Sequence, residues 1–236
     1  MTKFLYVTDT HGKRTVYEKM FEMGKESNID FLVFGGDITS GMNPNGQKFF
    51  LESYLAPRLI EFKRHCGKPV LIMMGNDDFE SNRKILRRLS RKNVVYKLHA
   101  KSHRIGKLIV VGYPFVNPTP FLLKDWEKEE KEIREDLERL SGKIDPSRAI
   151  YVFHAPPYGT KLDMIHNREH KGSRAIAEFI RKKQPLLSLH GHIHESPEVS
   201  GSIEQRIGKT LCVNPGNRRI ILVDTERIRI KKLDSG

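Results

Sequence analysis

Apolar and polar positions along the chain fall into two alternating textures. Short, nearly unbroken apolar runs are separated by longer stretches in which apolar residues recur every three to four positions. The runs Lys3–Thr8, Asp30–Phe34, Pro69–Met74, Lys107–Gly112, Ala149–Phe153 and Leu186–His190 contain few polar residues, which predicts strands buried on both faces. Between them, Lys13–Asn28, Gln47–Arg64, Ser81–Lys92, Lys124–Leu140 and Ser173–Lys183 carry helical periodicity, with Ser81 and Ser173 as N-caps. From Ile203 onward the pattern shortens to strands at Thr210–Val213, Arg219–Val223 and the alternating Arg227–Lys231. Strand–helix alternation that closes in strands predicts an α/β fold with a mixed sheet or two packed sheets. No repeat, low-complexity tract or Pro/Gly/Ser linker interrupts it, so residues 1–236 read as a single domain.

The Lys124–Leu140 stretch places Trp126, Ile133, Leu137 and Leu140 on one face among charged residues. Such a stripe packs onto the body of the protein or onto a second copy, leaving monomer and homodimer both open. A chain of 236 residues buries enough surface to fold without a disulfide framework. Its two cysteines, Cys66 and Cys212, are read as free thiols of a reducing compartment. The opening apolar run Phe4–Val7 is shorter than the roughly 7–15 residues of a secretory h-region. No run approaches the roughly 18 apolar residues of a membrane span. The expectation is a soluble, cytoplasmic protein without a membrane partner.

Charge adds an ambiguous signal. Forty-two Lys and Arg against 29 Asp and Glu give a formal charge of +13. A polyanionic partner, nucleic acid or nucleotide, would account for the excess. A densely charged surface of thermophile type would account for the density and for the scarcity of glutamine, which occurs only at positions 47, 184 and 205. The segment from Arg83 to Lys92 concentrates six cations, with Ile85, Leu86 and Leu89 between them. Arg83 and Arg87 would there form an anion-attracting face, unless the run is simply a solvated helix surface.

The chemistry-bearing residues stand where the strands end. The runs are followed by Asp9-Thr10-His11-Gly12, Gly35-Gly36-Asp37, Gly75-Asn76-Asp77-Asp78, His154-Ala155-Pro156-Pro157 and Gly191-His192-Ile193-His194. Ligands of open α/β sheets bind at the carboxyl ends of the strands, where separate loops converge. Asp, His and Asn without a thiolate suit Mn, Fe, Zn or Ni better than a structural zinc site. Each loop alone could be a cap or a turn; five in succession, each after an apolar run, argue for one metal centre.

The series Asp-x-His-Gly, Gly-Gly-Asp, Gly-Asn-x-Asp, His, Gly-His-x-His resembles that of the calcineurin-like metallophosphoesterase superfamily, from Asp9 to His194. The stretches Asn117–Phe121, His154–Asp163 and Asn214–Gly216 look like its small prokaryotic branch of cyclic-nucleotide-phosphodiesterase-like phosphoesterases. The resemblance implies two packed mixed β-sheets flanked by helices. It also implies a dinuclear site: Asp9, His11 and His194 on one divalent ion, Asn76, His154 and His192 on the second, Asp37 bridging, with manganese favoured. A carboxylate suits the bridging place because two cations about 3.5–4 Å apart need a shared anion. A water shared by both ions would be acidified to hydroxide for in-line attack on phosphorus. Asn76 would join the catalytic group.

One position departs from the pattern. The superfamily usually reads Gly-Asn-His-Asp/Glu, with the histidine contacting substrate phosphate and assisting the leaving group. This chain has Asp77 there. An exposed carboxylate donates no proton at neutral pH and repels a dianionic monoester more than a monoanionic diester. His170, ahead of the last predicted helix, is the candidate replacement acid. The resulting expectation is a phosphodiesterase acting on a phosphate-ester small molecule or nucleotide. A metal-dependent nuclease is the enzymic alternative. A non-catalytic interaction scaffold is the other, although all seven ligand positions are filled.

Overall fold

The computed structural model describes residues 2–40, 43–121, 124–142, 144–226 and 229–233. Twelve strands make two six-stranded mixed sheets. In the first, β1 (Lys3–Val7), β2 (Phe31–Gly35), β3 (Val70–Met73) and β4 (Tyr96–Lys97) run parallel, and β11 (Ile220–Asp224) and β12 (Arg229–Leu233) extend the other side antiparallel. In the second, β6 (Leu108–Tyr113), β7 (Ala149–Phe153), β8 (Leu187–Leu189) and β10 (Thr210–Val213) are parallel, with β5 (Lys101–Ile105) and β9 (Glu204–Ile207) as antiparallel edges.

Strand periodicity assigns the layers. Phe4, Tyr6, Phe31, Val33, Leu71 and Met73 turn inward and meet Val110, Ile150, Val152, Leu187 and Leu189 of the other sheet. Their alternates Leu5, Val7, Leu32 and Phe34 face outward, under α1 (Arg14–Gly24), α3 (Ala56–Cys66) and α4 (Arg83–Arg91). The outer face of the second sheet lies under α5 (Glu130–Ser141) and α6 (Arg174–Lys183). Both faces of every central strand are therefore buried, which is why those strands read as continuous apolar runs. The architecture is the expected pair of packed mixed sheets flanked by helices.

Local departures from the pattern have physical causes. The predicted Gln47–Arg64 helix begins earlier, as α2 (Pro44–Phe50), and passes through a π-helical turn, Leu51–Leu55, before α3. The widened turn directly precedes Pro57, which has no amide hydrogen to continue an α-helical ladder. Ser81 is not a cap: it lies in a 3-10 turn, Glu80–Asn82, whose first amide donates to Asp125 Oδ2 (2.8 Å). Ser173 does cap α6, accepting from the Ile176 amide (3.2 Å).

The predicted Lys124–Leu140 helix is shortened at its start. α5 begins at Glu130 behind a Glu129/Glu132 capping box. Upstream, Trp126 is drawn off the helical face into contact with His99 and Phe115, and the Val116 amide donates to its carbonyl (2.8 Å). Ile133 and Leu137 are buried by the chain itself, so the stripe offers no exposed face to a second copy. Of the predicted strand Arg227–Lys231, Arg227 and Ile228 lie outside the described residues, and β12 covers the remainder. The last helix, α7 (Ser196–Ser200), is a single turn. Cys66 and Cys212 are free thiols, and no helix of the described residues is long and apolar enough to cross a membrane.

His190 closes the second sheet as an uncharged core residue. Fully buried, it donates from Nδ1 to the Ala155 carbonyl (2.9 Å), and Nε2 pairs with the Ser188 hydroxyl (2.8 Å). Burial pushes its pKa down to about 3, against the opposing bond to Ala155. An unfolded histidine titrates near 6.5, so unfolding takes up a proton as the pH falls below that value. The stability supplied by the neutral ring is complete above about pH 6.5 and is lost below it, by up to ~1.4 kcal/mol per pH unit. His190→Asn should flatten the slope of unfolding free energy between pH 6.5 and 5 by about that amount. Denaturant melts across this range provide the comparison, and parallel slopes would contradict the assignment.

Candidate metal centre

Loops at the carboxyl ends of β1, β2 and β3 from one sheet, and of β7 and β8 from the other, meet on a common rim. Asp9 follows β1, Asp37 follows β2, Asn76 follows β3, His154 follows β7 and His192 follows β8. The loops are tied to one another through their backbones: Asp9 N–H to Gly36 O (3.1 Å), His11 N–H to Asp37 O (2.9 Å) and Gly191 N–H to His154 O (2.9 Å). Asp9, His11, Asp37 and His192 all have positive φ, between 41° and 67°. Four side-chain-bearing residues in the left-handed region on one rim is costly backbone, of the kind that persists where a site over-determines it.

Three donor atoms converge. Asn76 Oδ1 is 3.0 Å from His154 Nε2 and 2.7 Å from His192 Nδ1, and His154 Nε2 is also 3.3 Å from Asp37 Oδ2. His154 Nδ1 donates to the Gly35 carbonyl (3.1 Å), so Nε2 of a neutral ring presents a lone pair toward two oxygen acceptors. That arrangement calls for a cation between them, either a proton or a metal. Burial opposes charge on His154, but Asp37 and Asp9 outweigh it and push its pKa up to about 9. Asp37, although burial would raise it, is held below the usual carboxylate range by His154, His11 and the Asp77 amide. Burial and then the His154 charge drive His192 down to about 3, leaving a neutral imidazole. Burial raises Asp9, with His154 opposing and Asp37 adding to it.

Around this core, Asp9 takes the His192 amide on both oxygens (3.1 and 3.2 Å). Donor atoms of Asp9, Asp37 and His154 lie within 4.8 Å of one another, as do those of His11, Asp37 and Asp77. His11 Nε2 is buried and has no hydrogen-bond partner. Its ring meets that of His194 edge-on at 5.8 Å, and His194, more exposed, has Nδ1 3.7 Å from Glu195. The donor chemistry and the orphaned His11 nitrogen fit divalent metal. Gly36, at φ +111°, backs the His154 ring, and a Cβ there would collide with Nδ1.

The remaining sequence candidates are placed differently. Asp77 is not a lone carboxylate: Lys124 pairs with its Oδ1, and Asn76 Nδ2 donates to the same atom (3.1 Å). The Lys124 ammonium offsets part of the negative charge expected at that position. His170 is oriented by Asp163 (Nδ1 to Oδ1, 2.8 Å) and packs edge-on against Tyr158. Asp163 is itself buried and takes the Gly159, Thr160 and Gly172 amides, so this pair belongs to the 157–173 loop. Arg83 pairs with Glu80 (2.9 Å) and lies over Trp126, and Arg87 stands one turn further along α4.

Three residues that hold the site carried little signal. Asp78 accepts the Ile38, Thr39 and Gly75 amides (3.0, 2.8 and 2.9 Å), locking the Asp37 loop to the Asn76 loop. Burial, then repulsion from Asp37, raises it to about 6. Its place at the end of Gly-Asn-x-Asp could have marked it. Gln47, fully buried on α2, donates to Asp77 O (2.6 Å) and accepts from the Phe79 amide (2.8 Å). That clamp, and Lys124, reach across more than 25 residues with no local pattern.

A family model described as calcineurin-like phosphoesterase matches residues 2–196. No curated protein matches. Among solved structures, TT1561 of Thermus thermophilus shares 14% identity with a TM-score of 0.73, covering 100% of this chain and 99% of that one. A structure described as a novel archaeal phosphodiesterase shares 14% identity with a TM-score of 0.53, covering 98% and 99%. A putative 5'-nucleotidase from Staphylococcus aureus shares 15% identity with a TM-score of 0.56, covering 99% of this chain and 53% of that one. At these identities the likeness is one of fold.

Proposed function

This chain belongs to the calcineurin-like phosphoesterase family, and from that premise we propose a cytoplasmic, single-domain, dinuclear-metal-dependent phosphoesterase for phosphodiester or nucleotide-like substrates. The observation that carries the reading is the convergence of Asn76 Oδ1, His154 Nε2 and His192 Nδ1 beside Asp37. In this proposal Asp9, His11 and His194 hold one ion, Asn76, His154 and His192 the other, and Asp37 is shared; manganese suits the oxygen and imidazole set. When bound, such ions supply Lewis-acid charge and an acidified water.

The chain's own residues do the rest. Asp37 brings the anion that offsets two neighbouring cations, and Asp78 fixes the loop that presents it. Gly35 O sets the His154 tautomer so that Nε2 faces the site. Asp77 sits at the substrate side with Lys124, as a pair with reduced net charge rather than as an acid. Arg83 and Arg87 draw anions toward the rim, whereas His170, held by Asp163 in the 157–173 loop, would act as the replacement acid only in a protein that turns over alkyl monoesters well.

The test is a substrate comparison together with elemental analysis. We expect about two divalent ions per chain, good turnover of an aryl phosphodiester and, without a proton donor at Asp77, alkyl monoester turnover lower by about 10²-fold. Lys124→Ala bares the Asp77 carboxylate and should lower kcat/KM for the dianionic monoester more than for the diester. Asp77→His should narrow the gap while leaving metal content unchanged. A natural protein that prefers alkyl monoesters would refute the diester reading; one without bound metal would refute the reaction class.

A further inference from the structure

After β6 the chain turns back on itself beside the metal centre. The Val116 amide donates to Trp126 O (2.8 Å) and the Lys128 amide to Val116 O (2.9 Å), which ties the two ends of the turn together. Thr119 Oγ1 donates to Glu127 (2.5 Å) and accepts from the Phe121 amide (3.4 Å). Three more contacts lay the returning arm along the segment that follows Asn76. Trp126 Nε1 donates to Asp78 O (2.6 Å), Asp125 accepts from the Glu80 amide (2.8 Å), and Lys124 pairs with Asp77.

Phe121 stands at the outer end of these contacts. It is 64% exposed, and the Lys124 ammonium lies over its ring, 5.5 Å from the centroid. The same ammonium reaches Asp77, whose amide donates to Asp37 Oδ1 (2.8 Å) and whose Oδ2 is 3.9 Å from His11 Nδ1. Only Lys124 and Asp77 therefore stand between the phenyl ring and Asp37. The other large apolar side chains in solvent, among the described residues, are Phe49, Ile60 and Tyr96. Phe49 is two positions from Gln47 on α2, and residues so spaced do not share a helix face. Gln47 is the one turned to Asp77. Ile60 belongs to α3 and Tyr96 to the edge strand β4.

A phenyl ring alone on a surface needs no explanation. One fixed beside a phosphoester centre, with a cation against it and most of its surface open, has a use. Phosphate oxygens are drawn to bound ions and to an ammonium, and the group esterified to them then lies alongside the ring. A flat π system gains from such a face, whereas an aliphatic group gains little.

We propose that Phe121 is a specificity-determining residue that stacks on the nucleobase of the substrate, so that the site selects base-bearing phosphate esters over aliphatic ones. This rests on the phosphoesterase reading above and adds the substrate class to it. Lys124 acts at both ends, offsetting the Asp77 charge and holding the ring by a cation–π contact.

The experiment is isothermal titration of the full chain, loaded with manganese, with AMP and with ribose 5-phosphate. Both ligands carry the same dianionic 5'-phosphate, so the difference between them isolates the base. The natural protein should bind AMP about tenfold more tightly. Phe121→Ala and Phe121→Leu should both abolish that preference by weakening AMP alone; leucine keeps an apolar side chain but offers no π face. Phe121→Trp should retain it. Because the ring is exposed, the melting temperature should not change in any of the three. Equal affinity for the two ligands in the natural protein, or a preference that survives in the leucine variant, would overturn the proposal even if aryl diesters are hydrolysed. A base preference that depends on Phe121 in a protein that hydrolyses no phosphate ester would support the stacking face and count against the reaction class instead.

Discussion

Asp37→Asn is expected to reduce bound metal from two ions toward one or none and to lower hydrolysis by at least about 10³-fold, a loss of ~4 kcal/mol in transition-state stabilisation. The substitution nearly preserves shape. An asparagine oxygen can still take the Asp77 amide now held at 2.8 Å, so the loop has no reason to rearrange. What disappears is the anion that faces His154 and, in the proposed site, both cations. Without it, burial dominates at His154 and its ring loses the proton that Asp37 and Asp9 hold there at neutral pH. Elemental analysis and turnover on the same preparation provide the check. Two ions retained at full occupancy would remove Asp37 from the bridging place, whatever happened to activity.

The second large effect comes from a residue that donates nothing. A Cβ added at Gly75 would lie inside 3 Å of both Asp37 Oδ1 and His154 Nε2. Neither neighbour can retreat: both side chains are buried, one held by the Asp77 amide and the other by Gly35 O. Gly75→Ala should therefore cost metal affinity, by about tenfold or more, and ~1–3 kcal/mol of folding stability through overpacking. Gly67→Ala is the matched control. Gly67 sits at φ +68° after α3 with open space around it, so alanine there costs about 1 kcal/mol of backbone strain and leaves the metals alone. Equal metal content in the two variants would show that the rim is less tightly built than its distances imply.

The central strands and the loops behind them were legible because burial on both faces leaves an unambiguous apolar run, and the polar residues that end such runs stand out against it. The edges were not. β5 reads Lys-Ser-His-Arg-Ile and is largely solvated, so its composition resembles a loop, and β4 is two residues long. Trp126 illustrates another limit: its spacing fits the α5 stripe, yet Phe115 and His99 compete for it and win. In the site, the donors announced themselves by residue type. Asp78, Gln47 and Lys124 did not, because their roles consist of contacts to distant backbone and side chains.

The division of the rim between two sheets bears on when the site can exist. Asp9, His11, Asp37 and Asn76 belong to the first 76 residues, while His154, His192 and His194 arrive only with the second sheet. A nascent chain emerging from the ribosome carries the carboxylates and His11 long before the other three imidazoles. Domains generally fold as units, and N-terminal segments emerge first. Until residue 154 is out, the growing chain can offer a cation from this set only oxygen donors and a single imidazole, which favours weakly held, exchangeable ions. In the proposed site, selection of the metal would thus wait for the second sheet to close over the first.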